Sequence, residues 1–309
     1  MENPPATYVR MYRCESTGYA ALKGLSFPAT GRVTGSTSKG IFVLIPPQRV
    51  FFLSYESYRG PLTLNLTPRP AEPLPVYIGQ EVHVEADEIS LPTLNTHITL
   101  SEETLWLPPA PPANILPNED LWASIKRLSE SALYVHRGVG LVPMLAFIMD
   151  DPHPPTIPAM LQSTIANILI LKNLFTQPVE VSMSALTALM GTGRGLTPSG
   201  DDFIVGLMLL LSRMPGLNSL HDTIEALHRQ VVEIAFEKTT ALSANLIACA
   251  CEGSADERLI RAVDGFLTGS LNEAGILHTL QEYGSSSGVD ALTGIASGMR
   301  ALQAVRAHH

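Results

Sequence analysis

The placement of proline divides this sequence into two parts of different kind. Residues 1–118 hold 16 of the 24 prolines, although they are much the shorter part. Proline fixes φ and has no N–H to donate, so it is rare inside helices and central strands. The first part must therefore consist of short elements separated by turns. The division lies in the proline-rich residues 107–118, which predict an extended, semi-rigid connector.

The part before the connector has the pattern of short strands. Its β-rich runs are bounded by Pro, Gly and Ser, and several alternate polar with apolar positions. The predicted strands are residues 31–33, 40–45, 50–54, 62–66, 76–78, 81–86 and 97–100. Short strands at regular spacing are typical of a small β barrel or a sandwich. We therefore predict a β-rich domain over residues 1–116 and leave the choice between barrel and sandwich open.

The part after the connector has helical periodicity, with apolar residues every three to four positions. The first predicted helices are residues 119–135, 157–175 and 181–190. Later helix starts are predicted from a Ser-x-x-acid pattern, at Ser219, Ser254, Ser270 and Ser287. The fold class predicted is α+β, with an all-helical domain over residues 117–309.

Composition excludes several classes of protein. Apolar residues make up 45% of the chain and charged residues 16%, which excludes intrinsic disorder. So few charges also indicate that much of the surface is covered, and we expect a homo-oligomer. A net charge of −9 argues against nucleic acid as a partner. The longest apolar run, residues 203–211, is too short to cross a membrane, and the chain starts without a signal-peptide pattern. We expect a cytoplasmic protein.

Cysteine and histidine give no metal site and no cofactor is expected. The three cysteines are Cys14, Cys249 and Cys251, and no Cys-x-x-Cys pair is present. They are interpreted as small buried side chains in a reducing compartment. The nine histidines are scattered, and no carboxylate completes a zinc set around them.

The most unusual stretch is a glycine-rich segment, residues 191–203, that precedes an apolar helix. Its glycines allow a ligand to approach the backbone, and the free N–H groups of a helix start attract anions. The helix is predicted to begin near Asp202, and Arg194 offers a planar fork for carboxylate or phosphate. A Walker A loop is excluded because the final Lys-Ser/Thr is missing. The candidate ligand-binding residues here are Gly193, Gly195, Thr197, Ser199 and Gly200.

Together with Arg194, Asp201 and Asp202 are the candidate catalytic residues. Ser199 or Asp201 is expected to cap the helix, and one aspartate favours the helix dipole. The other can orient an amide or ammonium group, accept a proton or hold Mg²⁺. The competing interpretation of the whole segment is a helix–helix turn with an ordinary cap.

Two further polar segments supply candidate ligand-binding residues. The serine segment, residues 283–295, offers Ser286, Ser287 and Asp290 at a helix start, although capping alone also explains them. The threonine segment, residues 239–253, offers Asn245 between apolar neighbours. Both are expected to converge with the glycine-rich segment on one pocket. The β domain is expected to cover one wall of it with Asn65, the polar exception in its strand.

These segments resemble a bacterial family first catalogued as a domain of unknown function. The resemblance rests on Gly-Leu-Thr-Pro-Ser-Gly-Asp-Asp-Phe at residues 195–203 and, more weakly, on residues 239–253 and 284–294. It extends over roughly residues 119–309. One member of that family is a subunit of oxamate carbamoyltransferase, which acts in anaerobic allantoin degradation. The resemblance implies carbamoyl exchange between oxalurate and phosphate, with other transferase subunits as partners.

Two functions remain open. The first is a carbamoyltransferase-like enzyme or enzyme subunit that acts on a small anionic amide with phosphate or carbamoyl phosphate. Its ligand is then phosphate, carbamoyl phosphate or an oxamate-like anion. The second is a regulatory subunit that binds such an anion without chemistry. An enzyme needs an acid or base of perturbed pKa beside the anion site, whereas a binding subunit needs only the donors.

Overall fold

The computed structural model describes residues 9–101 and 104–306, apart from the side chain of Met160. The chain divides into two compact units between Pro108 and Pro109. The first unit consists of strands and the second of helices, so the predicted α+β class is confirmed.

Nine strands form the first unit, as far as the chain is described. Eight of them close into a barrel in the order β5-β4-β3-β2-β6-β7-β8-β1, because β1 also pairs with β5. The ninth strand extends the sheet beside β1, where Leu105 pairs with Thr17. The structure therefore resolves the alternatives in favour of a barrel. The strands are β1 (Arg10–Gly18), β2 (Ala29–Thr37), β3 (Gly40–Ile45), β4 (Arg49–Ser54), β5 (Thr63–Thr67), β6 (Glu81–Val84), β7 (Glu88–Leu91), β8 (Thr96–Thr99) and β9 (Leu105–Trp106).

Side chains on each strand alternate between the inside and the outside of the barrel, and the inward ones fill it. In β2, Gly31, Val33 and Gly35 are buried while the residues between them are exposed. A closed barrel buries one face of every strand, so period-two alternation is the pattern that such a sheet requires. The hydrophobic core includes Val33, Val43, Phe51, Leu64 and Ile98, each fully buried.

Three strands, β1, β7 and β9, were not predicted, and one predicted strand, residues 76–78, does not form. Strand β1 was missed because charged and polar residues occupy much of its length, and β7 and β9 are short. Residues 76–78 do not form a strand. Pro73 and Pro75 lie just before them, and the Val76 N–H bonds locally to Leu74 O instead of to a neighbouring strand.

The second unit contains ten α-helices within the described range. None of them is both long and apolar enough to span a bilayer. Helices α5 and α10 lie at its centre and are buried along almost their whole length. The helices are α1 (Asn118–Val135), α2 (Met144–Ile148), α3 (Gln162–Leu171), α4 (Val179–Leu189), α5 (Ser199–Arg213), α6 (His221–Lys238), α7 (Ala241–Cys251), α8 (Glu257–Thr268), α9 (Glu273–Tyr283) and α10 (Ser287–Arg306).

Glycine lets α5 and α10 approach each other closely. A Cβ on Gly206 would lie 2.0 Å from the Ala291 carbonyl oxygen, and one on Gly294 would lie 1.9 Å from the Phe203 carbonyl oxygen. Each helix therefore contacts the backbone of the other. This contact places the first turns of the two helices side by side.

Three of the four helix starts predicted from capping boxes were out of register, whereas α10 begins at Ser287 as predicted. Helix α8 begins at Glu257, and its cap is Asp256, whose carboxylate accepts from Arg258 N. Helix α9 is capped by Asn272 in the same way. Asp and Asn reach the free N–H groups of the first turn better than a serine placed further upstream. The α6 prediction at Ser219 also failed, because a short 3₁₀ turn precedes that helix.

The connector is attached to the helical unit by a buried arginine. Arg213 is 1% exposed and bonds both carboxylate oxygens of Asp264. Its remaining N–H groups donate to the carbonyls of Pro109, Ala110 and Gly253. A buried guanidinium needs all of these acceptors to offset its desolvation. The proline-rich residues after Pro108 therefore pack with the helices that follow them.

Alanine substitutions in α10 test the close helix contact. We expect Gly294→Ala to destabilise the protein by about 1–3 kcal/mol, because the new methyl group meets backbone that cannot move aside alone. Gly298→Ala is the matched control, since the nearest atoms there are side-chain carbons of Leu207 and Leu210 at 2.9 Å. Those side chains can change rotamer, so a smaller loss is expected. Urea unfolding measures both, and equal losses would contradict the proposed contact.

Candidate functional site

The glycine-rich segment leads directly into α5. The helix begins at Ser199, three residues before the predicted start near Asp202, and Pro198 precedes it without a side-chain cap. Proline suits this place because the N–H groups of a first turn have no helical partner. The prediction that Ser199 or Asp201 caps the helix was therefore wrong. Gly193 and Gly195 have positive φ values of 119° and 105°, which favour glycine.

Asp201 holds the glycine-rich segment in place. It is 1% exposed, and its Oδ1 accepts from Gly191 N at 2.8 Å. Its Oδ2 accepts from the hydroxyl of Thr239, just before α7. The neighbouring Gly200 is also structural, because its N–H donates to Thr192 O. Both oxygens of Asp201 are thus engaged within the fold.

Asp202 joins the glycine-rich segment to the serine segment. It is 2% exposed, and its Oδ2 accepts from Thr197 Oγ1 at 3.1 Å. The Thr197 hydroxyl also lies 3.3 Å from Ser287 Oγ. Burial raises the pKa of Asp202 to about 8, with Asp290 and Asp201 adding to the rise and the hydroxyls opposing it. This carboxyl group therefore holds a proton at neutral pH.

Asp290 lies in the first turn of α10 and is fully buried. Its Oδ1 accepts from Leu141 N at 2.5 Å. Burial raises the pKa of Asp290 to about 6, while the Leu141 N–H and the hydroxyls of Ser199 and Ser286 oppose the rise. At neutral pH most of this carboxyl group is charged.

Part of the Asp290 carboxylate remains open to a further donor. Although Ser199 and Ser286 lie beside it, Oδ2 has no partner of standard hydrogen-bond geometry among the described residues. Gly140, with φ of 46°, lies against the same carboxylate, and a Cβ there would be 2.0 Å from Oδ1. A charged group thus lies directly behind the turn formed by residues 138–141.

A cavity of about 420 Å³ opens where these segments meet. Ser199 and Ser286 line it from the starts of α5 and α10, and Arg194 lines it from the glycine-rich segment. Arg194 is exposed, and no ion pair or hydrogen bond of its guanidinium occurs within the described residues. Two helix starts and a guanidinium therefore face one space, which is an arrangement that attracts anions. The other lining residues are Gly138, Gly140, Leu141, Pro143, Pro158, Leu161, Thr164, Thr192 and Gly193.

The remaining predicted site residues, Asn245 and Asn65, each donate to backbone carbonyls of their own unit. Asn245 is 4% exposed, and its Nδ2 donates to Ala241 O one turn earlier in α7. Asn65 is buried in β5, where its Nδ2 donates to the carbonyls of Glu56 and Tyr58. These bonds engage the Nδ2 groups of both side chains, whereas the buried Oδ1 of Asn65 has no hydrogen-bond partner among the described residues.

The cavity walls formed by residues 138–143 and 158–164 were not predicted from the sequence. The Gly-Val-Gly of residues 138–140 indicates an unusual turn. Nothing in these residues predicts the hydrogen bond between Leu141 and Asp290, which are 149 positions apart. Thr192 was also missed, although it lies inside the segment that was singled out. A contact of such sequence separation is visible only in the folded chain.

Comparison with known protein families gives a match over the segment that forms much of the site. The family described as oxamate carbamoyltransferase subunit AllH matches residues 189–299. The resemblance inferred from the motif is thereby confirmed, although over a shorter range than 119–309. No solved structure matches the chain. Within the described residues, no group of three His, Cys, Asp or Glu side chains is arranged to hold a metal ion.

The pH dependence of stability tests the protonated state of Asp202. Its pKa rises from an ordinary 3.8 to about 8 on folding, so the folded state binds an extra proton between these values. The free energy of unfolding contributed by this group therefore falls as pH rises from about 4 to about 8. Asp202→Asn removes this dependence. We expect the variant to gain stability relative to the parent protein as pH rises from 5 to 8.

Asp222→Asn is the matched control, because Asp222 also lies in a helix first turn but is exposed. Its stability difference from the parent protein should stay nearly constant with pH. Thermal unfolding from pH 5 to 8 measures both variants. If the stability difference between Asp202→Asn and the parent protein is as independent of pH as that of Asp222→Asn, Asp202 is charged in the folded protein.

A second pair of variants tests the turn against Asp290. We expect Gly140→Ala to cost about 1–3 kcal/mol of stability, because its methyl group would overlap the buried carboxylate. Gly138→Ala is the control, because Gly138 lines the same cavity and nothing lies within 4 Å of the Cβ that alanine would add there. That variant should stay within about 0.5 kcal/mol of the parent protein. Chemical denaturation compares them, and a tolerated Gly140→Ala would refute the contact.

Proposed function

We propose that this chain is a carbamoyltransferase-related subunit and that its helical domain, residues 117–309 as predicted, binds the anionic substrate. The observation that carries the proposal is that Arg194, which has no partner among the described residues, lies beside the starts of α5 and α10 in one cavity. The family match over residues 189–299 covers Arg194, the charged residue of that cavity, and three of its four hydroxyl residues, Thr192, Ser199 and Ser286.

Local donors explain how an acidic chain binds an anion. The protein carries a net charge of −9, so its overall field repels phosphate or oxamate. A guanidinium binds a carboxylate or phosphate in a bidentate way, and the positive ends of two helix dipoles add to the attraction. Phosphate, carbamoyl phosphate and an oxamate-like anion all present the groups that these donors recognise.

The arrangement also divides the roles of the candidate catalytic residues. Arg194 is the group placed to touch the ligand and to stabilise negative charge on the carbamoyl carbonyl or phosphate. Asp201 and Asp202 are 1% and 2% exposed and lie behind the cavity surface. They position the glycine-rich segment, and Asp202 keeps a proton within the hydrogen-bonded group of Thr197 and Ser287.

A subunit that binds without completing the chemistry is the second candidate. Of the described residues that line the cavity, Arg194 is the one with an ionisable side chain, so the surface offers no direct general base. The base for carbamoyl transfer would then come from another transferase subunit, or from a second copy of this chain. The two candidates share one ligand and differ in whether this chain turns it over alone.

Calorimetric titration with inorganic phosphate, carbamoyl phosphate and oxamate tests the proposal. We expect at least one of them to bind the parent protein, and Arg194→Lys to weaken that binding severalfold or more, because lysine cannot reproduce a bidentate contact. Arg229→Lys is the control, since Arg229 is an exposed arginine on α6. Equal binding by parent and Arg194→Lys would remove the support for this site. If the ligand binds as expected, a turnover assay on this chain alone distinguishes an enzyme from a binding subunit.

A further inference from the structure

Thr164 is a residue of the cavity wall that lies outside the family match over residues 189–299. It belongs to the first turn of α3 and is 5% exposed. Its hydroxyl has no hydrogen-bond partner among the described residues. Burying a hydroxyl without a partner costs free energy, so a hydroxyl in this state needs an explanation.

The other buried threonines of the described chain all have bonded hydroxyl groups. Thr279 and Thr293 donate to the carbonyl one turn earlier in their own helices, at 2.8 and 2.9 Å. In the barrel, the hydroxyls of Thr17 and Thr96 are bonded as well. Thr164 lacks a helical acceptor of this kind, because α3 begins two residues before it and the carbonyl four positions earlier lies outside the helix. Its hydroxyl is left to bond with a group inside the cavity.

The free proton of Thr164 suits a cavity that attracts anions. Thr192 lines the same cavity, but its hydroxyl donates to Leu189 O at 2.6 Å and so offers a ligand only lone pairs. Thr164 can still donate. Arg194 also acts as a donor, and an anion has several oxygens that accept hydrogen bonds.

We propose that Thr164 is a ligand-binding residue, whose hydroxyl donates to an oxygen of the anion held by Arg194. The site then extends beyond the matched residues to α3. This inference rests on the proposed function, because it concerns the ligand of the same cavity, and it adds a contact that neither the motif nor the family match contains. The hydroxyl is retained for binding at a cost to the stability of the ligand-free protein.

Thr164→Val tests the binding and the stability at once, because valine has a similar shape and no hydroxyl. Calorimetry with inorganic phosphate, carbamoyl phosphate and oxamate identifies the anion that the parent protein binds most tightly. We expect Thr164→Val to bind that anion about tenfold more weakly, which corresponds to about 1.4 kcal/mol. Thr164→Ser keeps the hydroxyl and should bind it within about threefold of the parent value. The melting temperature of ligand-free Thr164→Val should stay the same or rise, since no hydrogen bond is lost.

Thr279→Val is the matched control. Thr279 is also a buried helical threonine, but it lies outside the cavity lining and its hydroxyl is bonded. This variant should have a lower melting temperature, because it loses that bond, and an unchanged affinity for the anion.

The possible outcomes separate the inference from the proposed function. If Arg194→Lys weakens binding and Thr164→Val does not, the inference is overturned and the anion site stands. Equal losses in Thr164→Val and Thr164→Ser would overturn it too, because the shape of the side chain and not its hydroxyl would then matter. If Thr164→Val unfolds as readily as Thr279→Val, the hydroxyl is bonded within the fold and the inference is again wrong. Failure of all three anions to bind the parent protein refutes the proposed function, and the inference with it.

Discussion

The close contact between α5 and α10 is the constraint on which the site depends. Glycine on each helix lets the backbone of one touch the backbone of the other, at Gly206 against Ala291 and at Gly294 against Phe203. Two helices that lie so close, with their first turns side by side, bring the positive ends of their dipoles together. The electrostatic character of the cavity follows from this packing before any side chain is considered.

Packing of this kind also explains why three carboxyl groups are buried in one place. Asp201, Asp202 and Asp290 all belong to the first turns of the two helices, where negative charge is favoured by the helix dipole. Their environments then separate them. Asp201 has both oxygens bonded, Asp202 retains a proton, and Asp290 keeps its charge with one oxygen incompletely satisfied.

Sequence patterns predicted what depends on local chemistry and failed where distant segments meet. The helical domain, most strands and the glycine-rich segment were visible because apolar periodicity and turn residues are local properties. Strand β1 was not visible, because its partners lie far along the chain and its own residues are largely polar. In the site, Ser199, Ser286 and Arg194 were identified by residue type, whereas Gly140 and Leu141 were not. Their contact with Asp290 leaves no trace in either segment alone.

The closure of the barrel has a consequence for the order in which the chain assembles. Among the described strands, β1 is synthesised before the others, and it lies between β5 on one side and β8 with β9 on the other. Arg10 pairs with Thr96 and Thr17 with Leu105, so one edge of β1 stays open until those residues have left the ribosome. During synthesis, then, the unpaired edge of β1 is the part of the barrel that most needs protection from other chains.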